Sequence, residues 1–219
     1  MVGLFSAEVA RRLQSRLSMI VLEELDDFPS LDLETIRFIA GFDSSYAGNI
    51  QCAVVVVYDL QAGRVVEKTH VGVSVKVPYI PGLLAFREIP GYMRAYGKLS
   101  VKPDVLMIDE HGLAHPRAFG IATHLGLILN KPSIGVAKKH LHSEIVTVDN
   151  RKIVKAHGRI IGEVIEHEKQ KIYVSIGYKI KLEDAVKIVK KLLVENKKLP
   201  IPLQIADEYS KTIKNKYYK

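Results

Sequence analysis

Asp43, Glu88 and Asp109 are the residues of this chain best placed to do chemistry. Asp43 closes the apolar run Ile36-Arg-Phe-Ile-Ala-Gly-Phe42, and Asp109 closes a second run, Val105-Leu-Met-Ile108. Glu88 sits one turn into a segment that begins Pro81-Gly82-Leu-Leu-Ala-Phe-Arg87. Acids that end buried strands lie at a sheet's rim, where sites on α/β scaffolds form. Three carboxylates with neither thiolates nor a paired histidine suit a hard, oxygen-preferring cation such as Mg2+. Phosphodiester hydrolysis calls for such a cluster. Charge on the nonbridging oxygens must be neutralised, and hydroxide must form near neutral pH. In a basic chain, the three acids point to metal-dependent cleavage of a phosphate-bearing substrate.

The surrounding pattern supplies elements to position them. Val9, Leu13, Leu17, Ile20, Val21 and Leu25 recur at helical spacing and predict an amphipathic helix over 5–25, ended by Pro29. Strands are expected over 36–45, 50–59 and 64–75. Turn residues at 47–49 and 61–63 make both connections hairpins. Ala53 to Val57 is continuously apolar, which predicts burial on both faces. After Gly82 the pattern reads helix 83–98, strand 104–109, helix 117–130 and strand Ser133 to Ala137. Strands alternating with helices imply parallel pairing. The order βββ then αβαβ describes an α/β mixed sheet with helices on both faces, similar to the ribonuclease-H-like arrangement. The two aspartate-bearing strands are then neighbours, with Glu88 reaching the same rim from the intervening helix. Short strands near 152–156, 160–166 and 171–176 suggest a hairpin extension, followed by helices over 182–194 and about 203–214.

Composition sets the outer limits. A chain of 219 residues is expected to form one domain over 1–219, with an N-terminal helix and basic C-terminal helices. The single cysteine, Cys52, lies in an apolar run without an intrachain partner. That suggests a reducing, cytoplasmic setting. The longest apolar stretch falls far short of the roughly 20 residues that span a bilayer, so no membrane partner is expected. A net charge of +8 favours a polyanionic partner. From Lys179 to Lys219 there are 11 lysines against five acids. The same surplus also suits a solvated lysine-rich surface. No long apolar stripe is left unassigned, so a monomer is expected.

Two long segments carry a resemblance. They are Val77-Pro-Tyr79-Ile80-Pro81-Gly82-Leu-Leu84-Ala-Phe-Arg87-Glu88 and Asp109-Glu-His-Gly-Leu-Ala-His115-Pro-Arg117. Together with Gly41-Phe-Asp43-Ser-Ser-Tyr46 and Lys131-Pro-Ser-Ile-Gly-Val-Ala-Lys138, they resemble the signature segments of the endonuclease V family, in its order, from about residue 7 to 210. The resemblance implies a ribonuclease-H-like fold and a Mg2+-dependent, Mn2+-tolerant DNA repair nuclease. Its members recognise deoxyinosine in DNA. They nick the lesion strand at the second phosphodiester bond 3′ to it, leaving 3′-hydroxyl and 5′-phosphate ends.

Carried over by position, Asp43 and Asp109 are the principal metal ligands and Glu88 completes the acidic site. Tyr79 matches the strand-separating wedge. Pro78 and Pro81 fix φ on either side, and Ile80 extends the apolar ridge. Gly82 and Leu84 would help form the pocket for the flipped hypoxanthine. Arg87 pairs with Glu88 or with a phosphate. His115 either orients the attacking water or is a loop histidine bonded to backbone. Lys138 either holds a phosphate or the nucleophile, or is an exposed strand-end lysine. Glu110 stands where the family most often has glycine and is expected to point outward, because successive strand residues face opposite sides. Asp207 matches a C-terminal position held by Asp or His in relatives. It either adds a polar group near the metal or lies exposed on a basic helix. His140 and His142 read as surface-loop residues. The alternatives to deoxyinosine DNA are inosine-containing RNA or branched or flapped DNA as substrate. From another class comes a nucleic-acid-binding module without catalysis, which would gain nothing from acids facing phosphates.

Overall fold

The computed structural model describes residues 5–141 and 143–217. His142 and Lys219 of the sequence reading lie outside the described residues.

The core is one nine-stranded sheet in the order β3-β2-β1-β4-β5-β9-β8-β7-β6. Its first three strands, β1 (Phe38–Ala47), β2 (Ile50–Asp59) and β3 (Arg64–Ser74), are joined by tight turns and pair antiparallel, as their turn residues predict. β4 (Val105–Ile108) runs parallel to β1, and β5 (Ser133–Ala137) runs parallel to β4. Cys52 to Val57 on β2 are fully buried. Helices α2 (Leu84–Tyr96), α3 (Ile121–Leu129), α4 (Leu182–Leu192) and α5 (Ile201–Lys216) cover the sheet.

Strand alternation decides which helix meets which residue. Ala40, Phe42, Ala53 and Val55 pack with Ala85, Ile89 and Tyr92 of α2. Cys52, Val54 and Val56 pack with Ala206 and Ile213 of α5 on the opposite face. Asp43 stands opposite Val54 and Gly41 opposite Val56, so both face α5. Gly41 has no room for more: a Cβ there would lie 2.5 Å from the Pro202 carbonyl oxygen. Ser44 stands opposite Ala53 and therefore faces α2.

Four expectations need correction. α1 (Ala7–Glu24) buries Ala10, Gln14, Ser18 and Val21, whereas Val9, Leu13 and Ile20 of the expected apolar face are exposed. An apolar stripe is therefore left uncovered on α1, and the premise for expecting a monomer does not hold. The helix expected at 117 begins at Ile121, because Ala118 adopts a positive φ of 48° and breaks the run. The expected hairpin extension is larger. β6 (Glu144–Val148), β7 (Arg151–Ala156), β8 (Arg159–His167) and β9 (Gln170–Tyr178) form an antiparallel meander, and β9 pairs with β5 to continue the sheet. Finally, α4 ends at Leu192, two residues short of its expected end, while α5 begins at Ile201, close to the expected start near 203.

Candidate active site

The parallel register pairs Phe42 with Ile108, and the Asp109 amide donates to the Phe42 carbonyl at 3.2 Å. Asp43, midway along β1 and not at the strand end expected, and Asp109, just past the end of β4, therefore lie side by side, at the spacing of about 4.8 Å between paired strands. Both line a cleft of about 700 Å3 that also contains Glu88, Glu110, Tyr79, Gly82, His115 and Lys138.

Each acid is held by a specific partner. Ser210 on α5 donates to Asp43 Oδ2 at 2.7 Å. Lys138 Nζ, at the end of β5, contacts Asp109 Oδ2 at 2.6 Å. Tyr46 and Tyr92 donate their hydroxyls to Glu88 Oε1 and Oε2, each at 3.0 Å. Burial pushes the Asp43 carboxyl up to about 7, with Asp109 and Asp207 adding repulsion that Ser210 and Lys138 only partly offset. Burial also pushes Glu88 up to about 7, helped by the charge of Glu110 and opposed by its hydroxyl donors. Asp109 is raised too, because burial outweighs Lys138.

The expected convergence of three acids on one ion is only partly present. Among the described residues no three His, Cys, Asp or Glu side chains stand close enough to hold a metal as placed. The reason lies in the alternation of β1. Asp43 faces α5, while Glu88 hangs from α2 and bonds Tyr46, which shares Ser44's face. The rim of the sheet runs between them. Asp43 and Asp109 form a ready pair of hard oxygen donors, and the two raised carboxyls make an added cation favourable there.

Glu110 corrects its expectation. Alternation does turn it away from Asp109, but α2 covers that face, so it enters the cleft rather than solvent. Burial raises its carboxyl, with Asp109 adding repulsion. Asp207 raises both Asp43 and Asp109 and is paired to Lys211 at 2.5 Å, so it lies near the aspartate pair.

His115 is buried, with Nε2 3.1 Å from the Gly82 carbonyl and Nδ1 accepting from the Arg117 amide at 3.1 Å. Both ring nitrogens are committed to backbone, which matches the loop-histidine reading and leaves no nitrogen for water. Burial and the Arg117 charge lower the ring to about 4. Of its two expected partners, Glu88 and a phosphate, Glu88 is not the one Arg87 contacts: the acid is held by Tyr46 and Tyr92. Arg87 donates to the Val77 carbonyl at 2.5 Å and lies over the Tyr46 ring, fastening the root of the 78–82 loop. Tyr79 is 69% exposed at the cleft mouth, while Pro81, Gly82 and Leu84 line the wall beside it. Ile80 is half-buried in the same loop and His140 is exposed. Gly82 has φ of +77°, a backbone form that favours glycine.

A family model described as Endonuclease V matches residues 21–208. The chain belongs to the endonuclease V family. It is therefore a nuclease, a hydrolase that cuts within a nucleic-acid strand. The endonuclease V of Desulfurococcus amylolyticus is 51% identical over 209 residues, 95% of each chain. The solved endonuclease V of Streptomyces avermitilis superposes with a TM-score of 0.88 at 28% identity, covering 100% of this chain and 98% of that one. A Ciona intestinalis endonuclease V shares the fold at a TM-score of 0.80 and 23% identity, covering 97% of this chain and 100% of that one. It was solved with DNA containing an inosine followed by a ribo-adenosine. The family and the ribonuclease-H-like mixed sheet expected from the motifs are both present.

Sequence reasoning missed four residues of this endonuclease V site: Ser210, Tyr92, Gln14 and Arg117. Tyr92 was findable, since it lies four residues after Glu88 on one helix face. Ser210 and Gln14 gave no local signal, because their partners are 167 and 68 residues away.

The raised carboxyls dictate a pH response. Asp43 and Glu88 bind protons more tightly folded (about 7) than in an ordinary setting (3.8 and 4.5). Their contribution to stability is full below about pH 4 and is lost as pH rises through 7. His115 and His124, lowered to about 4 by burial, act oppositely: their contribution is present above pH 6.5 and lost as pH falls. Thermal melting of Glu88→Gln against wild type, in EDTA, isolates the acid. The variant should gain on wild type as pH rises from 5 to 8. A difference that stays flat over that range would mean that Glu88 is already ionised at low pH.

Proposed function

We propose that this endonuclease V is a metal-dependent DNA repair enzyme that recognises deoxyinosine and nicks the second phosphodiester bond 3′ to it, leaving 3′-hydroxyl and 5′-phosphate ends. The observation that carries this reading is one cleft holding both the Asp43–Asp109 pair and the exposed Tyr79 beside the Gly82 turn. The acids supply hydrolysis, and the wall beside them supplies base selection.

Asp43 and Asp109 would hold Mg2+, with Mn2+ substituting, and Glu88 would join them from the α2 side. A cation bound there neutralises phosphate charge and lowers the pKa of water. Ser210 and Lys138 fix the orientation of the two aspartates, so that little side-chain freedom is lost in the reaction. Lys138 can also pass from Asp109 to a phosphate oxygen once a cation takes its place. Tyr79, stiffened by Pro78 and Pro81, would fill the gap left by an extruded base. Leu84 and the Gly82 backbone would then receive that base.

The partner is DNA carrying deoxyinosine. A second reading, inosine-containing RNA, is favoured by the ribonucleotide that follows inosine in the Ciona complex. One set of reactions separates these readings. Matched oligonucleotides with one deoxyinosine, one riboinosine or neither are incubated with Mg2+, with and without EDTA, and the products are sized. The expected result is one nick two bonds 3′ of deoxyinosine, far slower cutting of the plain duplex, and none under EDTA. Equal cutting of all three substrates, or cutting that survives chelation, would overturn the proposal. Preferred cutting of riboinosine would move the substrate to RNA.

A further inference from the structure

The Gly82 carbonyl oxygen, at the base of the Tyr79 loop, receives three side-chain donors. These are Gln14 Nε2 at 3.0 Å, His115 Nε2 at 3.1 Å and Arg117 Nη2 at 2.6 Å. A carbonyl has two lone pairs, so this acceptor is oversubscribed. Gln14 does more than share it. Its Nε2 also donates to the Phe119 carbonyl at 3.1 Å, and its Oε1 accepts from Arg117 Nε at 2.8 Å. Gln14 is 1% exposed, in the middle of α1, and lines the cleft beside Gly82 and Arg117.

The three bonds tie together two loops that are distant in sequence. One is the 78–82 loop bearing Tyr79. The other is the 110–120 loop, which runs from the acids to Phe119. Arg117 is held at Nε and Nη2 by this arrangement, and it packs so closely on Gly82 that a Cβ there would lie 2.5 Å from Nη2. Two of these bonds, from His115 and Arg117, cross directly between the loops, and the buried Gln14 amide braces them by holding Arg117 and joining Gly82 to Phe119.

We propose that Gln14 is a positioning residue for lesion discrimination, acting through Arg117 and the Gly82 carbonyl to hold the two walls of the cleft at the separation that admits an extruded hypoxanthine. This rests on the deoxyinosine reading above. Gln14 touches neither Asp43 nor Asp109, whose partners are Ser210 and Lys138. Its loss therefore acts on how the lesion is accommodated and not on how the bond is cut. Removing it also leaves Gly82 with two donors, so the loop keeps its hydrogen bonding while losing its link to Phe119. The anionic near-isostere is informative as well. A glutamate at position 14 keeps the bond to Arg117 but sets a carboxylate oxygen against two carbonyls.

Gln14→Ala, Gln14→Glu and Arg117→Lys are compared with wild type on deoxyinosine and plain duplexes with Mg2+, and melting curves are recorded for each. The expected result for both Gln14 variants is a rise of tenfold or more in KM for the deoxyinosine duplex. The kcat should fall less than threefold, and the ratio of lesion to plain cleavage should fall about tenfold. Arg117→Lys cannot make both bonds and should lose the same ratio, which keeps the test available if a Gln14 variant does not fold. Folded variants that keep the wild-type ratio, or that lose kcat on both duplexes equally, would overturn the inference alone. A wild-type protein with no preference for deoxyinosine would overturn the reading beneath it as well.

Discussion

Asp43→Ala and Asp109→Ala each lower the nicking rate on a deoxyinosine duplex by at least about a thousandfold, the equivalent of roughly 4 kcal/mol of lost transition-state stabilisation. The size of the effect follows from geometry. The two acids are the side-by-side pair at the rim, so removing either leaves one carboxylate where two hard donors stood. Binding should respond differently. Both acids face the place a phosphate would occupy, so their removal also removes repulsion, and affinity for the duplex should hold or rise. Stability should not fall with Asp43→Ala in metal-free buffer at pH 8. The carboxyl is raised to about 7 by burial and by neighbouring charge, so the ionised form is unfavourable there. Single-turnover cleavage, gel-shift binding and melting in EDTA measure the three quantities separately. Cleavage within tenfold of wild type in either variant would show that the pair does not carry the reaction.

Tyr79→Ala is expected to reduce discrimination for deoxyinosine by roughly 5- to 150-fold, the range that follows from about 1–3 kcal/mol for an aromatic stacked on a base. The structure gives the ring little else to do. It is 69% exposed and lies between two prolines that already fix the loop, so truncation should leave the melting temperature within about a degree or two. The loss should therefore concentrate on the lesion. Comparing kcat/KM on deoxyinosine and plain duplexes gives the ratio directly. A folded variant that weakens on both to the same extent would mark Tyr79 as a general DNA contact. Tyr79→Phe should retain most of the ratio, because the ring face and not the hydroxyl supplies the stacking.

Much of this architecture was legible because local patterns and tertiary demands agreed. β2 reads as doubly buried and is so from Cys52 to Val57, since α2 and α5 cover its two faces. The adjacency of the strands carrying Asp43 and Asp109 followed from the ribonuclease-H-like order that the element sequence suggested. Other features were illegible for physical reasons. Apolar periodicity placed only part of α1's buried face, Val21 and Leu25 being in the core while Val9, Leu13 and Ile20 are exposed, because an amide with three hydrogen-bond partners can be as well satisfied inside as a leucine. β6 has no buried residue and so shows no alternation to read. Glu110 was misplaced because alternation states which face a residue takes, not what covers that face. His115 was left open between two readings, and its partners, Gly82 and Arg117, could be named only from the folded chain.

The contact between Ser210 and Asp43 spans 167 residues, and it brings the last described helix onto the strand that carries the first acid. A chain made from its N-terminus exposes Asp43, then Asp109, long before α5 exists to seat against Gly41 and supply the hydroxyl. Until then the α5 face of β1 and β2, including Val54 and Val56, is open to water. The Asp43 side of the cleft is thus completed only when α5 packs onto the sheet.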